Sequence, residues 1–267
     1  MKKYMWILAA ICVATIVSCS KDDGDDDGGK SGAPIKQEQL DGVWQLISDV
    51  FDGNNKVVKY GPNFYYFEDG YQYINDFEDP LNHSDRTQYV LSESSNTLTT
   101  YLNEMAGVSD FWVKIAGKKM TFTWPGNQKY YGVTRTFNKV YDQVRPFGVY
   151  TYKYELEYSA EDNIWYYDDY KSDAGYLPYC AITWETFYEF KGKSKSDYNA
   201  DEYKVVKVVP ETDTELGELT IRIDGKDNLW YFAWQVTDLG TGLVLYNADF
   251  TKAFFLERYV TKTYYLK

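Results

Sequence analysis

From Gln39 onward the chain is a succession of short runs in which apolar and polar residues alternate. Nowhere does the apolar spacing settle into the 3.6-residue period of a helix. Met120, Phe122 and Trp124 fall on one face of such a run, and Thr121 and Thr123 on the other. That is the signature of a sheet with one packed and one wet face. The first half holds nine of these runs, at residues 43–51, 56–60, 64–68, 71–76, 87–92, 98–102, 111–115, 119–124 and 130–140. Asp69-Gly70 is a strong hairpin turn, because both residues tolerate positive φ. Asp52-Gly53-Asn54-Asn55 and Ala116-Gly117-Lys118 mark two more turns. Tyr 28, Phe 14 and Trp 8 make the chain 19% aromatic, and aromatic side chains suit strands. The expectation is an all-β protein of short antiparallel strands, as in a small up-and-down barrel or a sandwich.

The first residues read as an address. Lys2 and Lys3 precede an uncharged, mostly apolar run at 4–17, too short to span a bilayer and followed by acid; this fits a signal peptide over residues 1–18. Ile16-Val17-Ser18-Cys19 resembles the lipobox of bacterial lipoproteins. The resemblance implies cleavage before Cys19, lipid on its thiol, and anchoring in outer-membrane lipid. Residues 19–37 carry an Asp and Gly run that cannot bury apolar surface, so a disordered tether is expected there. The run also resembles the acidic export signal of Bacteroidota-type surface lipoproteins, which implies exposure on the outer face of the outer membrane. Asp23, Asp25, Asp27 and Gly28 match the opening of a calcium loop, but the twelfth position is Pro34 instead of Glu.

Leu40-Asp41-Gly42-Val43-Trp44, then Phe64-Tyr65-Tyr66-Phe67, then Thr134-Arg135-Thr136-Phe137 form an ordered trio. The trio resembles the lipocalin-like domain of bacterial surface lipoproteins. By that resemblance Trp44 plugs one end of an antiparallel barrel and Arg135 stacks on it as a cation–π partner. Several landmarks recur later. Gly148-Val149-Tyr150 echoes Gly42-Val43-Trp44, and Phe187-Tyr188-Glu189-Phe190 echoes the Phe64 run. The Gly225 turn echoes the Gly117 turn, and Arg258 echoes Arg135. Two lipocalin-like barrels in tandem are therefore expected, over residues 38–143 and 147–267, with Pro146 near the boundary. The alternatives are an unrelated second β domain or one composite structure. On the tandem reading, a fragment covering 38–143 is expected to fold alone.

Reactive chemistry is sparse. The chain has one histidine, His83, and three cysteines. Of these, Cys12 leaves with the signal peptide and Cys19 takes the lipid, so Cys180 has no disulfide partner. No clustered His and Cys set exists to hold a metal, and no cofactor motif is present. Glu155 and Glu157 sit about 6.6 Å apart if they share a strand, near the spacing of inverting glycosidases. Tyr154, Leu156 and Tyr158 then fill the other face, and the plain reading is a wet strand face. Glu185 and Glu189 are too far apart on the same rule. The formal net charge of −12 offers no basic footprint for nucleic acid.

Binding is what remains, with an apolar small molecule or a glycan as the ligand. The rival readings are a structural or partner-binding surface module, and a glycan hydrolase. One candidate surface is the barrel interior, at Phe67, Phe122 and Trp124. The other is the aromatic stretch 163–181, read as an insertion that presents Trp165, Tyr166 and Tyr170 exposed and close together, with Tyr176 as a further candidate.

Overall fold

A computed structural model describes residues 33–266 apart from 53–55, 60, 62, 104–105 and 127–130. The signal peptide, Cys19 and the acidic run lie outside the described residues. Strands β1 (Gly42–Phe51), β2 (Lys56–Lys59), β3 (Asn63–Glu68), β4 (Tyr71–Asp76), β5 (Ser84–Ser92), β6 (Thr97–Asn103), β7 (Gly107–Ala116), β8 (Lys119–Gly126) and β9 (Tyr131–Tyr141) follow in order. Each of the nine runs read from the sequence overlaps one of them. Each neighbour pairs antiparallel with the next, and β1 closes on β9. The ring holds eight strands, with β2 as a flap on the far half of β1. Asp69 and Gly70 both take positive φ, 52° and 76°, as the β3–β4 hairpin requires.

The second half repeats this plan. Its strands are β10 (Gly148–Ser159), β11 (Ile164–Asp169), β12 (Tyr176–Ile182), β13 (Thr186–Ser194), β14 (Asp197–Val209), β15 (Gly217–Ile223), β16 (Lys226–Thr237), β17 (Gly240–Asn247) and β18 (Lys252–Arg258). They close into a second eight-stranded antiparallel barrel through β10–β18, and β11 is again a flap on the first strand. The protein is thus two closed up-and-down barrels in tandem. A final strand, β19 (Lys262–Tyr264), does not belong to the second barrel. It runs parallel to β5 of the first, and Tyr264 stacks on Tyr101 with ring centroids 4.2 Å apart.

Both barrels open on the same device. Trp44 is fully buried, and its indole N–H donates to the Leu40 carbonyl at 2.7 Å. Tyr150 is fully buried, and its hydroxyl donates to the Phe147 carbonyl at 3.1 Å. Each ring fills the end of its barrel while a backbone carbonyl just upstream satisfies its polar tip. Glycine precedes each by two positions because the chain is crowded there. A Cβ on Gly42 would meet the Tyr141 carbonyl oxygen at 2.6 Å, and one on Gly148 would meet the Arg258 guanidinium at 2.6 Å. The cation over Trp44 is Lys139, at 5.2 Å, where Arg135 was expected. Lys139 pairs directly with Trp44 in the ladder, whereas Arg135 pairs with Asp49 further along. Arg258 lies over Tyr150 at 5.5 Å and is its ladder partner. Arg258 is therefore the counterpart of Lys139.

The finer echoes are one strand out of step. The Phe64 run forms β3, the second strand of its ring, while the Phe187 run falls in β13, the third. Gly117 turns β7 into β8, but Gly225 turns β15 into β16, one hairpin earlier. Aromatic-x-aromatic runs occur on most strands here, so local similarity cannot fix which strands correspond. Order also begins earlier than the expected tether end. Ile35 is buried in the first barrel, its N–H donates to Asn96 at 2.8 Å, and Gln37–Leu40 form a one-turn helix. Ile35 and Leu40 supply the apolar contacts and Asn96 the polar ones that dock this stretch.

The closed end of the second barrel sits against the outer wall of the first. Arg258 lies 4.4 Å over the ring of Tyr73 from β4. Phe64 packs edge-on against Trp184 at 4.9 Å, and Phe77 stacks on Tyr188 at 5.8 Å. Val43, Phe64, Tyr66, Phe77 and Leu81 of the first barrel belong to one apolar cluster with Tyr150, Ile182 and Phe187 of the second.

Candidate functional site

The interior of the first barrel is filled by its own side chains. Phe67 and Phe122 are buried and pack at 6.0 Å, and Phe122 also meets Phe137 at 5.0 Å. Trp124 belongs to the same cluster. These three sequence-selected residues read as core. Deeper in polarity, the buried Asp49 carboxylate accepts from Arg135 at 3.3 Å, and Arg135 also donates to the Tyr65 hydroxyl at 3.2 Å. An inward acid is thus matched by an inward base.

The 163–181 stretch is two strand segments joined by residues 170–175. It supplies β11 and all of β12 but Ile182, so neighbours in sequence within each strand alternate between faces. Trp165 and Tyr167 share one face, and Tyr166 lies on the other. Tyr166 is 54% exposed and its hydroxyl donates to Asp162 at 2.9 Å. Tyr170 lies elsewhere, stacked on Tyr152 at 4.6 Å, and Tyr176 bonds Asp201 at 2.7 Å. The expected neighbours therefore do not meet: Trp165 lies in one place, Tyr170 and Tyr176 in a second, and Tyr166 on the opposite face of β11 from Trp165.

The first place is the outer wall of the second barrel. Trp165 packs against Tyr158 at 5.4 Å and Tyr246 at 5.7 Å, and Phe250 continues the row at 5.7 Å from Tyr246 and 5.0 Å from Tyr231. Tyr167, 58% exposed, flanks the row at 5.4 Å from Tyr154. The rings come from β10, β11, β16, β17 and the turn before β18, so no local spacing in the sequence announces them. Amide and hydroxyl groups line the row. Gln235 donates to the Tyr246 hydroxyl at 3.0 Å, and Asn163 accepts from Tyr158 at 2.7 Å.

The second place is the mouth of the second barrel, at the far end of its strands from the Tyr150 plug. Tyr188 faces outward onto the first barrel, so Glu189 beside it points inward, opposite Cys180 and Asp201 in the ladder. Tyr152, Tyr170, Trp230 and Phe254 make the aromatic wall, with Phe254 5.5 Å from Tyr152 and 5.9 Å from Trp230. Burial pushes the Cys180 thiol well above its ordinary range, with the Glu189 charge adding to the effect. A thiol so held is a poor nucleophile.

Between the barrels runs an open cleft of about 810 Å³. The one arginine among its described residues is engaged by the walls: Arg145 reaches Glu68 at 3.0 Å and Glu211 at 3.6 Å, and lies 4.9 Å over Trp234. That arrangement cements two walls. His83 pairs with Asp79 at 3.2 Å in an exposed loop. Glu155 and Glu157 share one lysine, Lys252, at 3.8 and 3.7 Å. Among the described residues no group of three or more His, Cys, Asp or Glu is placed to hold a metal ion, and no helix is long and apolar enough to cross a membrane. The chain matches no family model, no curated protein and no solved structure.

Proposed function

We propose that this protein is a lipid-anchored surface protein that binds a neutral glycan, without catalysis, on the outer aromatic row of its second barrel. The row of Tyr167, Trp165, Tyr158, Tyr246, Phe250 and Tyr231 is the observation that carries the reading. Flat, partly exposed rings stack on the apolar faces of sugars and lose little entropy when fixed. Gln235 and Asn163 at its margin supply amides for sugar hydroxyls. The net charge of −12 favours a neutral chain over an anionic one. An apolar ligand inside the first barrel is the weaker alternative, because aromatic side chains occupy that interior. Binding to a panel of insoluble and soluble polysaccharides tests the reading. The Trp165→Ala, Tyr167→Ala double variant should lose about tenfold or more in affinity while its melting temperature moves by a few degrees at most. Unchanged binding, or binding to no neutral glycan by the parent protein, would sink it.

The anchor rests on Ile16-Val17-Ser18-Cys19 and the Asp run behind it. In cells Cys19→Ala should leave the membrane fraction entirely. A Cys19→Ala chain that stays with the membrane after its leader is removed would refute the anchor.

A further inference from the structure

The charge of Glu189 disfavours ionisation of Tyr152, Tyr170, Tyr176, Tyr203 and Cys180 alike. The ladder partners of Glu189 are Cys180 on one side and Asp201 on the other, which sets it among these side chains at the mouth of the second barrel. Tyr170 stacks on Tyr152, Phe254 closes on both, and Trp230 extends the wall. Glu189, Tyr170, Tyr176, Tyr203, Trp230 and Phe254 are half-buried, so the mouth is open to solvent.

Charge is the telling feature. In the first barrel the inward Asp49 has Arg135. In the second, the inward base Lys191 turns to Asp201, which also accepts from Tyr176. Glu189 accepts from Tyr203, and among the described residues no Lys, Arg or His comes within ion-pair distance of it. Asp201 and Asp173 add further negative potential. Burial and those neighbours raise the Glu189 carboxyl above its ordinary range, so the site as it stands holds this charge at a cost. An uncompensated carboxylate ringed by aromatic faces has one natural complement, a weakly hydrated organic cation. A metal ion fits poorly, since among the described residues no three acidic, His or Cys side chains converge to hold one.

We propose that the mouth of the second barrel is a binding site for a small organic ammonium ion, with Glu189 as its counter-charge and Tyr152, Tyr170, Trp230 and Phe254 as its wall. This site is separate from the outer aromatic row, and either can stand without the other.

The test uses the full chain and tetramethylammonium chloride, followed by tyrosine and tryptophan fluorescence and by broadening of the methyl proton signal. Sodium chloride at equal ionic strength is the control, and choline is compared with its uncharged carbon isostere 3,3-dimethylbutan-1-ol. Saturable binding of tetramethylammonium and choline is expected, with the isostere weaker by about tenfold or more. Glu189→Gln should weaken binding by a similar factor and melt no lower than the parent, because it removes a penalised charge. Lys191→Met frees Asp201 and should tighten binding several-fold, which gives a reading even where Glu189→Gln fails to fold. Trp165→Ala should leave ammonium binding intact. Equal binding of the uncharged isostere, parent-like binding by Glu189→Gln, weaker binding by Lys191→Met, or no saturation with either cation would each overturn the proposal.

Discussion

Replacing Trp44 with alanine should destabilise the protein by about 3–5 kcal/mol, the usual cost of emptying a fully buried aromatic site. For a chain of this size that is a fall in melting temperature on the order of 10 °C. The indole is sealed, its N–H is satisfied by Leu40, and Lys139 covers its face. Removing it leaves a void at the end of the barrel and an unpaired carbonyl. Phenylalanine should recover most of the volume but not the hydrogen bond. Tyr150→Ala should behave alike in the second barrel, with Arg258 losing one of the rings it lies against. Thermal denaturation of the variants beside Trp165→Ala gives the comparison. A Trp44→Ala protein that melts with the parent would show that the plug is dispensable.

The second large effect is on separability. A fragment covering 38–143 should fail to give a soluble monomer, contrary to what the sequence alone suggested. In the intact chain Phe64, Tyr66, Phe77 and Leu81 are 8% exposed or less, and they belong to the apolar cluster that continues into the second barrel. Cutting the barrels apart lays these four side chains bare together, an apolar patch of the kind that drives association. The cut also removes β19, leaving the near half of β5 as an open edge. Size-exclusion chromatography and a cooperative melt decide the matter. A monomeric, cooperatively melting fragment would mean that the shared core is an interface between two independent domains. In the full chain, stopping after Val260 should give a milder loss, about 0.5–1.5 kcal/mol for the Tyr101–Tyr264 stack alone.

Strand content was readable because alternation is a local property. Met120, Phe122 and Trp124 face inward for the reason their spacing gives, and Asp69-Gly70 turns because both residues accept positive φ. The opening Gly-x-aromatic of each barrel was readable too, since a crowded glycine and a buried ring lie within three residues. Correspondence between barrels was harder. Irregularities between Val43 and Trp44, between Leu46 and Ser48, and between Tyr152 and Tyr154 shift the register. Lys139, and not Arg135, matches Arg258 because each is the direct ladder partner of the plug ring of its barrel.

The binding surfaces were legible only in part. Trp165 was found by its composition, but its partners Tyr246, Phe250 and Tyr231 arrive from strands some 65 to 85 residues later. Composition marks 163–181 as aromatic but does not say that strand alternation separates Trp165 from Tyr166. Glu189 was dismissed on its distance from Glu185 along the strand. Its importance comes from residues on β10, β12 and β14 that share its interior, and from a lysine that pairs elsewhere. No sequence window contains that information.

The return of β19 to β5 has a mechanical meaning. It makes the second barrel an insertion held between two segments of the first, tied down at Asp142–Phe147 on entry and at Tyr259–Lys262 on exit. A domain on one tether can swivel; one fixed at two separate points on the same wall has lost that freedom. The outer aromatic row and the barrel mouth are therefore presented at a fixed attitude to the first barrel, as two faces of a single bracket. Cutting the second tie, and leaving everything else in place, would turn the bracket into a hinge.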